Sequence, residues 1–206
     1  MIRRPPRSTL DRSSAASDVY KRQSDVVESL RDRISFDIRL GGINTDSVRP
    51  VGEYGRRRLD LLWDEVTEVT GQTFSHQLPE GTVYNSRLPC AALEGARDIS
   101  GTPPFLFTHR LQQRFFEEGV NINDQDVLLE TGKELGINPS RLLERMTSTE
   151  VATRTDWGFA GSRRYGTNAL PSILVSDNDQ DFRLFAGGYV SAGQLIEDLY
   201  EWLSRG

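Results

Sequence analysis

Apolar and polar positions alternate from Ile34 to Leu40: Ile34, Phe36, Ile38 and Leu40 fall on one side, Ser35, Asp37 and Arg39 on the other. A period of two predicts a strand with one buried face, and Gly41-Gly42 ends it. Just upstream, Val26, Val27 and Leu30 keep helical spacing behind Ser24, so a helix is expected to end within 24–33. Downstream the period lengthens. Leu59, Leu62, Trp63, Val66 and Val69 make one helical stripe, and Gly71 stops it. Residues 72–87 lose the pattern, with Pro79-Glu80-Gly81 as a turn.

Further helices follow in close order. Leu88-Pro89 opens one that runs through Arg97, with proline near its first turn. Thr102-Pro103-Pro104 opens the next, with Phe105, Leu106, Leu111, Phe115 and Phe116 on its apolar face and Gly119 at its end. Asn123 or Asp124 caps another, with Val127, Leu128 and Leu135 inward and Gly136 as the stop. Asn138-Pro139 starts a short helix carrying Leu142, Leu143 and Met146. Ser148 or Thr149 begins one that reaches about Tyr165. The pattern then changes. Leu170 to Val175 reads as a short apolar strand, Asp177-Asn178-Asp179 as a turn, and Phe182 to Phe185 as a second strand of a hairpin. Ser191 caps a last helix with Leu195, Leu199 and Leu203 four residues apart. Helix, strand, a long helical block, then strand, strand, helix is an α/β order with a helical insertion.

Composition narrows the classes. The 206 residues hold 25 basic and 30 acidic side chains, a net charge of −5, with 36% hydrophobic residues. No apolar run approaches the ~18 residues of a membrane span. A global basic field for nucleic acid is absent. Cys90 is the single cysteine, which excludes an internal disulfide and dithiol chemistry within these residues. His76 and His109 lie far apart in sequence with no ligand cluster around them, so neither a metal nor a cofactor is expected.

The remaining candidates read blandly from the residues alone. Cys90 behaves as a small apolar residue on a short helix. Arg56-Arg57-Arg58 shares its helix with Asp60, Asp64 and Glu65, an ion-paired solvated face rather than a phosphate patch. Trp63, Trp157 and Trp202 fall in helical patterns and are expected in the core. Glu117-Glu118 sits at a helix C-terminus, the unfavourable end for acids. Pro171 suits the first position of a strand, where its missing N–H does no harm.

Two resemblances alter this reading. The opening MIRRPPRST and SAASDVYKRQ resemble translated sequencing-adapter DNA, and the first 23 residues carry Arg3, Arg4, Arg7, Arg12, Lys21 and Arg22 against only Asp11 and Asp18. That resemblance implies that 1–23 is a non-native or disordered segment and that the domain begins near Ser24. The domain is then expected to span 24–206, with a helical insertion at about 53–166.

The second resemblance rests on Arg39-Leu40-Gly41-Gly42, Val83-Tyr84-Asn85-Ser86 before Pro89-Cys90-Ala91-Ala92, Phe115 to Gly119, Leu135-Gly136, and Gly166 through Pro171. In this order they resemble the DsbA-like branch of the thioredoxin superfamily, and within it the bacterial protein-disulfide isomerases. The resemblance implies a thioredoxin-like α/β fold with a helical insertion. It implies a cis-proline at Pro171, with Leu170 offering its backbone to an extended peptide, so Leu170 and Pro171 are the expected substrate-binding residues. Protein thiols and disulfides, and glutathione, are the implied partners. The branch places Cys-X-X-Cys at the start of its first helix, where the helix dipole stabilises a thiolate. These 206 residues contain no such pair, so the first strand and redox helix start are expected to be missing and no catalytic residue is assigned. The chain as written is therefore expected to be an inactive thiol–disulfide oxidoreductase relative. Two alternatives stand beside it: a glutathione-dependent transferase or isomerase of the kappa type, and a non-catalytic peptide-binding module. A cytoplasmic location is expected, with neither membrane nor nucleic acid as partner.

Overall fold

The computed structural model of the protein describes residues 26–162, 164, 172–178, 181–187 and 190–205. The first 23 residues, read above as a foreign segment, lie outside the described residues. Residues 26–30 are helical. Then come α1 (Glu53–Thr70), α2 (Arg87–Ser100), α3 (Phe105–Gln112) continuing into a π turn (Gln113–Glu117), α4 (Gln125–Glu134), α5 (Pro139–Met146) and α6 (Thr149–Ser162). A hairpin of β1 (Ser172–Val175) and β2 (Arg183–Gly187) precedes α7 (Ala192–Arg205).

Local chemistry sets most helix ends. Asn138 accepts from Arg141 N at 3.1 Å with Pro139 behind it, and Asp124 accepts from Asp126 N at 2.9 Å. Ser191 accepts from Gln194 N at 3.2 Å. Each satisfies a first-turn N–H that the helix leaves open. Gly71 ends α1 in the left-handed region at φ 73°, where its N–H reaches Thr67 O at 2.8 Å; a β-carbon there is disfavoured.

Three apolar cores hold the chain. The largest lies among α2 to α6, where Leu93, Phe107, Leu128, Leu142, Met146 and Phe159 meet Cys90 and Leu40. In the second, Leu59, Trp63 and Val66 of α1 meet Phe74, Phe115 and Phe116. Trp63 stacks on Phe74 with centroids 5.5 Å apart and takes Phe115 and Phe116 edge-on. Ile122 packs against both cores and joins them. The third joins Val26 and Leu30 to Val175, Leu195 and Leu199, with Ile34, Phe36 and Ile173 packed against it.

The hairpin is antiparallel, pairing Ser172 with Gly187, Ile173 with Ala186, Leu174 with Leu184 and Val175 with Arg183, with a bulge between Ile173 and Leu174. Four sequence expectations need correction. Residues 34–40 alternate in burial as expected, yet they form no ladder and are an extended ribbon rather than a strand. Leu106 and Trp157 are 74% and 72% exposed, and Leu135 is 37% exposed, where all three were expected inside. A period of 3.6 admits these positions to an apolar stripe, but the neighbouring helices pack against another side.

Candidate functional site

Two of the motifs that carry the resemblance meet in space. The loop after Leu40 turns back at Gly42 and Asn44, both with positive φ of 58° and 50°. It is sewn to the start of α2 across some forty residues of sequence. Ser86 Oγ accepts from Ile43 N at 2.7 Å and donates to Ile43 O at 3.2 Å, and Ser86 N donates to the same carbonyl at 3.1 Å. Asn85 Nδ2 donates to Thr45 O at 3.1 Å and Ser47 O at 2.8 Å. The Asn85 amide therefore does for the loop what a neighbouring strand would do.

The other side of the loop rests on α6. Ser162 Oγ donates to Gly41 O at 3.4 Å, and the Phe159 ring lies against Gly42. Arg87 closes the corner, pairing with Asp156 at 2.6 Å while its guanidinium stands 5.7 Å above the Phe159 ring. The Arg97 guanidinium fixes the preceding ribbon through Asp37 and Ile38 O. The result is a rigid loop on the face where α2 begins and α6 ends, with α6 leading into the segment before the hairpin.

Cys90 stands one turn into α2 beside this loop. A thiol near a helix N-terminus is usually acidified. Here burial dominates and pushes the Cys90 thiol up to about 12; the Ser86 hydroxyl and Arg87 counter it only partly, and Glu94 adds to it. Cys90 is therefore a protonated, enclosed thiol at neutral pH, and the reading of it as a small apolar residue holds.

Leu170 and Pro171, the expected peptide-binding residues, lie outside the described residues. Among the described residues no group of three or more His, Cys, Asp and Glu is placed to hold a metal. Nor is any helix among them long and apolar enough to cross a membrane.

Sequence reasoning did not single out one further feature. A pocket of about 130 Å³ opens between α1 and residues 76–78, lined by Arg56, Asp60, Trp63, His76 and Leu78. His76 has a φ of 54°, and its two ring nitrogens face Asp60 and Asp64 at 3.4 and 3.6 Å. Arg56 is saturated by the carbonyls of Val51, Leu78 and Pro79. The indole N–H of Trp63 is enclosed and unpartnered, so it does not serve the opening. This corner ties the 72–81 segment to α1 and carries no reacting group.

Ribbon, helical block, hairpin and closing helix together make the DsbA-like form of the thioredoxin fold, and the chain is a DsbA-like thioredoxin-superfamily protein. No family model matches it, and no curated protein does. Among solved structures, a candidate protein disulfide isomerase from Nitrosomonas europaea is similar at 25% identity and a TM-score of 0.84, over 93% of each chain. The cytosolic disulfide reductase DsbM from Pseudomonas aeruginosa is similar in fold at 19% identity and a TM-score of 0.67, over 93% of this chain and 89% of that one. The same reductase with GSH gives a TM-score of 0.66. A 2-hydroxychromene-2-carboxylate isomerase follows at 15% identity and 0.60, over 94% of this chain and 90% of its own.

Proposed function

We propose that the protein belongs with the thiol–disulfide oxidoreductases and protein-disulfide isomerases, and that these 206 residues bind thiol-bearing substrates without turning them over. The observation that carries the reading is the likeness to the Nitrosomonas protein over 93% of both chains. Disulfide exchange passes through a mixed disulfide that a second thiol resolves. A single cysteine cannot do this alone, and Cys90, protonated and enclosed, is a poor attacker. Leu170 and Pro171 remain the proposed contact for an extended peptide. A cytoplasmic location is part of the proposal, in keeping with the cytosolic reductase among the similar folds.

The test pairs two assays on the 206-residue chain. Reduction of insulin disulfides is expected to stay at the uncatalysed rate, and a labelled cysteine peptide is expected to bind saturably. Turnover above background removes the claim of inactivity. Absence of any saturable binding removes the binding claim.

A glutathione-dependent reading is second, favoured by the likeness to the reductase solved with GSH. Titration with glutathione alone separates the two: saturable binding of glutathione, with none of the peptide, favours it.

A further inference from the structure

Two extended segments face the third core with main-chain edges that nothing else in the described structure pairs. Along residues 35–40, the Ile38 N–H turns to the Asp37 side chain and its carbonyl to Arg97. No other main-chain group from 35 to 40 has a hydrogen-bond partner among the described residues. In the hairpin, β1 is laddered only to β2. Both segments lay side chains on the same apolar floor, Ile34 and Phe36 from the ribbon, Ile173 and Val175 from β1, with Leu195 and Leu199 beneath. At one end Arg39 stands 4.9 Å above the ring of Phe182, just ahead of β2, which brings the ribbon alongside the hairpin.

Open main-chain donors and acceptors beside an apolar floor specify an occupant. A helix satisfies its own backbone, and an apolar small molecule leaves the edges unpaired. An extended chain satisfies the edges with its backbone and the floor with every second side chain. We propose that the ribbon 34–40 and β1 are the two walls of a slot that accepts one extended peptide strand from another chain, with alternate apolar side chains turned onto the floor. This slot is distinct from the contact proposed at Leu170 and Pro171, which concerns the approach to Pro171 rather than the interior of the sheet, and neither proposal depends on the other.

The probe is an eight-residue peptide alternating valine and threonine, flanked by lysines for solubility, titrated into the 206-residue chain. Amide hydrogen exchange is followed in parallel. Expected is saturable binding, with exchange slowed at residues 35–40 and at 173–175 together. A peptide N-methylated at alternate residues is expected to bind about tenfold more weakly for each hydrogen bond lost. A scrambled peptide of the same composition is also expected to bind more weakly. Equal binding of the methylated peptide overturns the proposal, as does slowed exchange confined to one wall, or no binding at all. A homodimer that protects both walls and excludes the peptide also overturns it, in favour of a second copy as occupant. The two sites are told apart without mutating either. A cysteine peptide that binds without protecting 35–40 reports on the Pro171 contact alone.

Discussion

A β-carbon added to Gly42 would fall 2.6 Å from Cδ1 of Phe159. The same residue has a φ of 58°, in the left-handed region. The loop therefore needs glycine for two independent reasons, the aromatic ring below it and the backbone turn itself. Gly42→Ala is expected to destabilise the protein by roughly 2–4 kcal/mol, adding left-handed strain to overpacking. Urea unfolding measures it; a loss below about 0.5 kcal/mol would mean that the loop is not clamped to α6.

Ser86 is the other fastening of that loop, with three hydrogen bonds between it and Ile43. Ser86→Ala removes the two made by the hydroxyl and is expected to cost about 1–2 kcal/mol. Exchange of the Ile43 amide should accelerate by more than that of the α5 amides. Uniform acceleration across the chain would count against a local role.

Burial holds the Cys90 thiol near 12 in the folded protein, above its ordinary value of 9.0. Between those two values the folded chain keeps a proton that the unfolded chain has released. Stability from this group is therefore intact below about pH 9 and lost as pH rises toward 12. Cys90→Ala is expected to flatten that alkaline decline by up to one proton, about 1.4 kcal/mol per pH unit. Thiol labelling of the native protein at neutral pH should be slow and should speed up on adding denaturant. Rapid native labelling at neutral pH would contradict the buried placement.

Asp98 holds together α2, α5 and α6, accepting from Arg154 at 2.7 Å and from Arg145 at 2.9 Å. Burial pushes its carboxyl up, but the hydrogen bonds from Arg154 and Arg145 outweigh that and hold it below the usual carboxylate range. Its contribution is complete above the unfolded value near 4 and disappears as pH falls through the lowered folded value. Asp98→Asn is expected to cost about 1 kcal/mol at neutral pH, discounted for its partial exposure. The variant should also lose less stability on acidification than the parent. Parallel acid curves would exclude Asp98 as a source of that dependence.

The tryptophans separate sharply. Trp63 is 1% exposed and Trp157 is 72% exposed. Trp63→Ala is expected to cost about 3–5 kcal/mol, and Trp157→Ala less than about 0.5 kcal/mol. Acrylamide should quench the emission lost in Trp157→Phe and leave that lost in Trp63→Phe largely shielded.

The contrast between those residues marks what the sequence can convey. Asn138, Asp124 and Ser191 are legible as caps because each partner lies two or three residues away. Gly71 is legible because its left-handed turn is a local need. Trp157 and Leu106 are not, since the side of a helix that faces inward is set by which helices pack on it. Glu117 and Glu118 look misplaced at a helix end until their distant partners are seen: Gln72 donates to Glu117 at 2.7 Å, and Arg110 pairs with Glu118. The loop clamp was visible only as motif letters, Asn85 and Ser86, whose role rests on pairing with residues about forty positions away. Pro171 entered by resemblance to a family, and its geometry lies outside the described residues.

The π turn has a bearing on how the chain tolerates length change. Glu118 N bonds to Gln113 O at 3.1 Å, five residues back, so this stretch carries one residue more than an α-helical pitch requires. That surplus sets Arg114, Phe115 and Phe116 inward in succession and brings Phe116 O to Ser75 N at 2.8 Å. Deleting a single residue between 113 and 117 would leave a regular helix of good local propensity. It would also rotate everything beyond it by about 100°, withdrawing a phenylalanine from Trp63 and the carbonyl from Ser75. In this segment a one-residue gap is a more severe lesion than most substitutions, and a homologue lacking it would have to rebuild the second core around a different aromatic set.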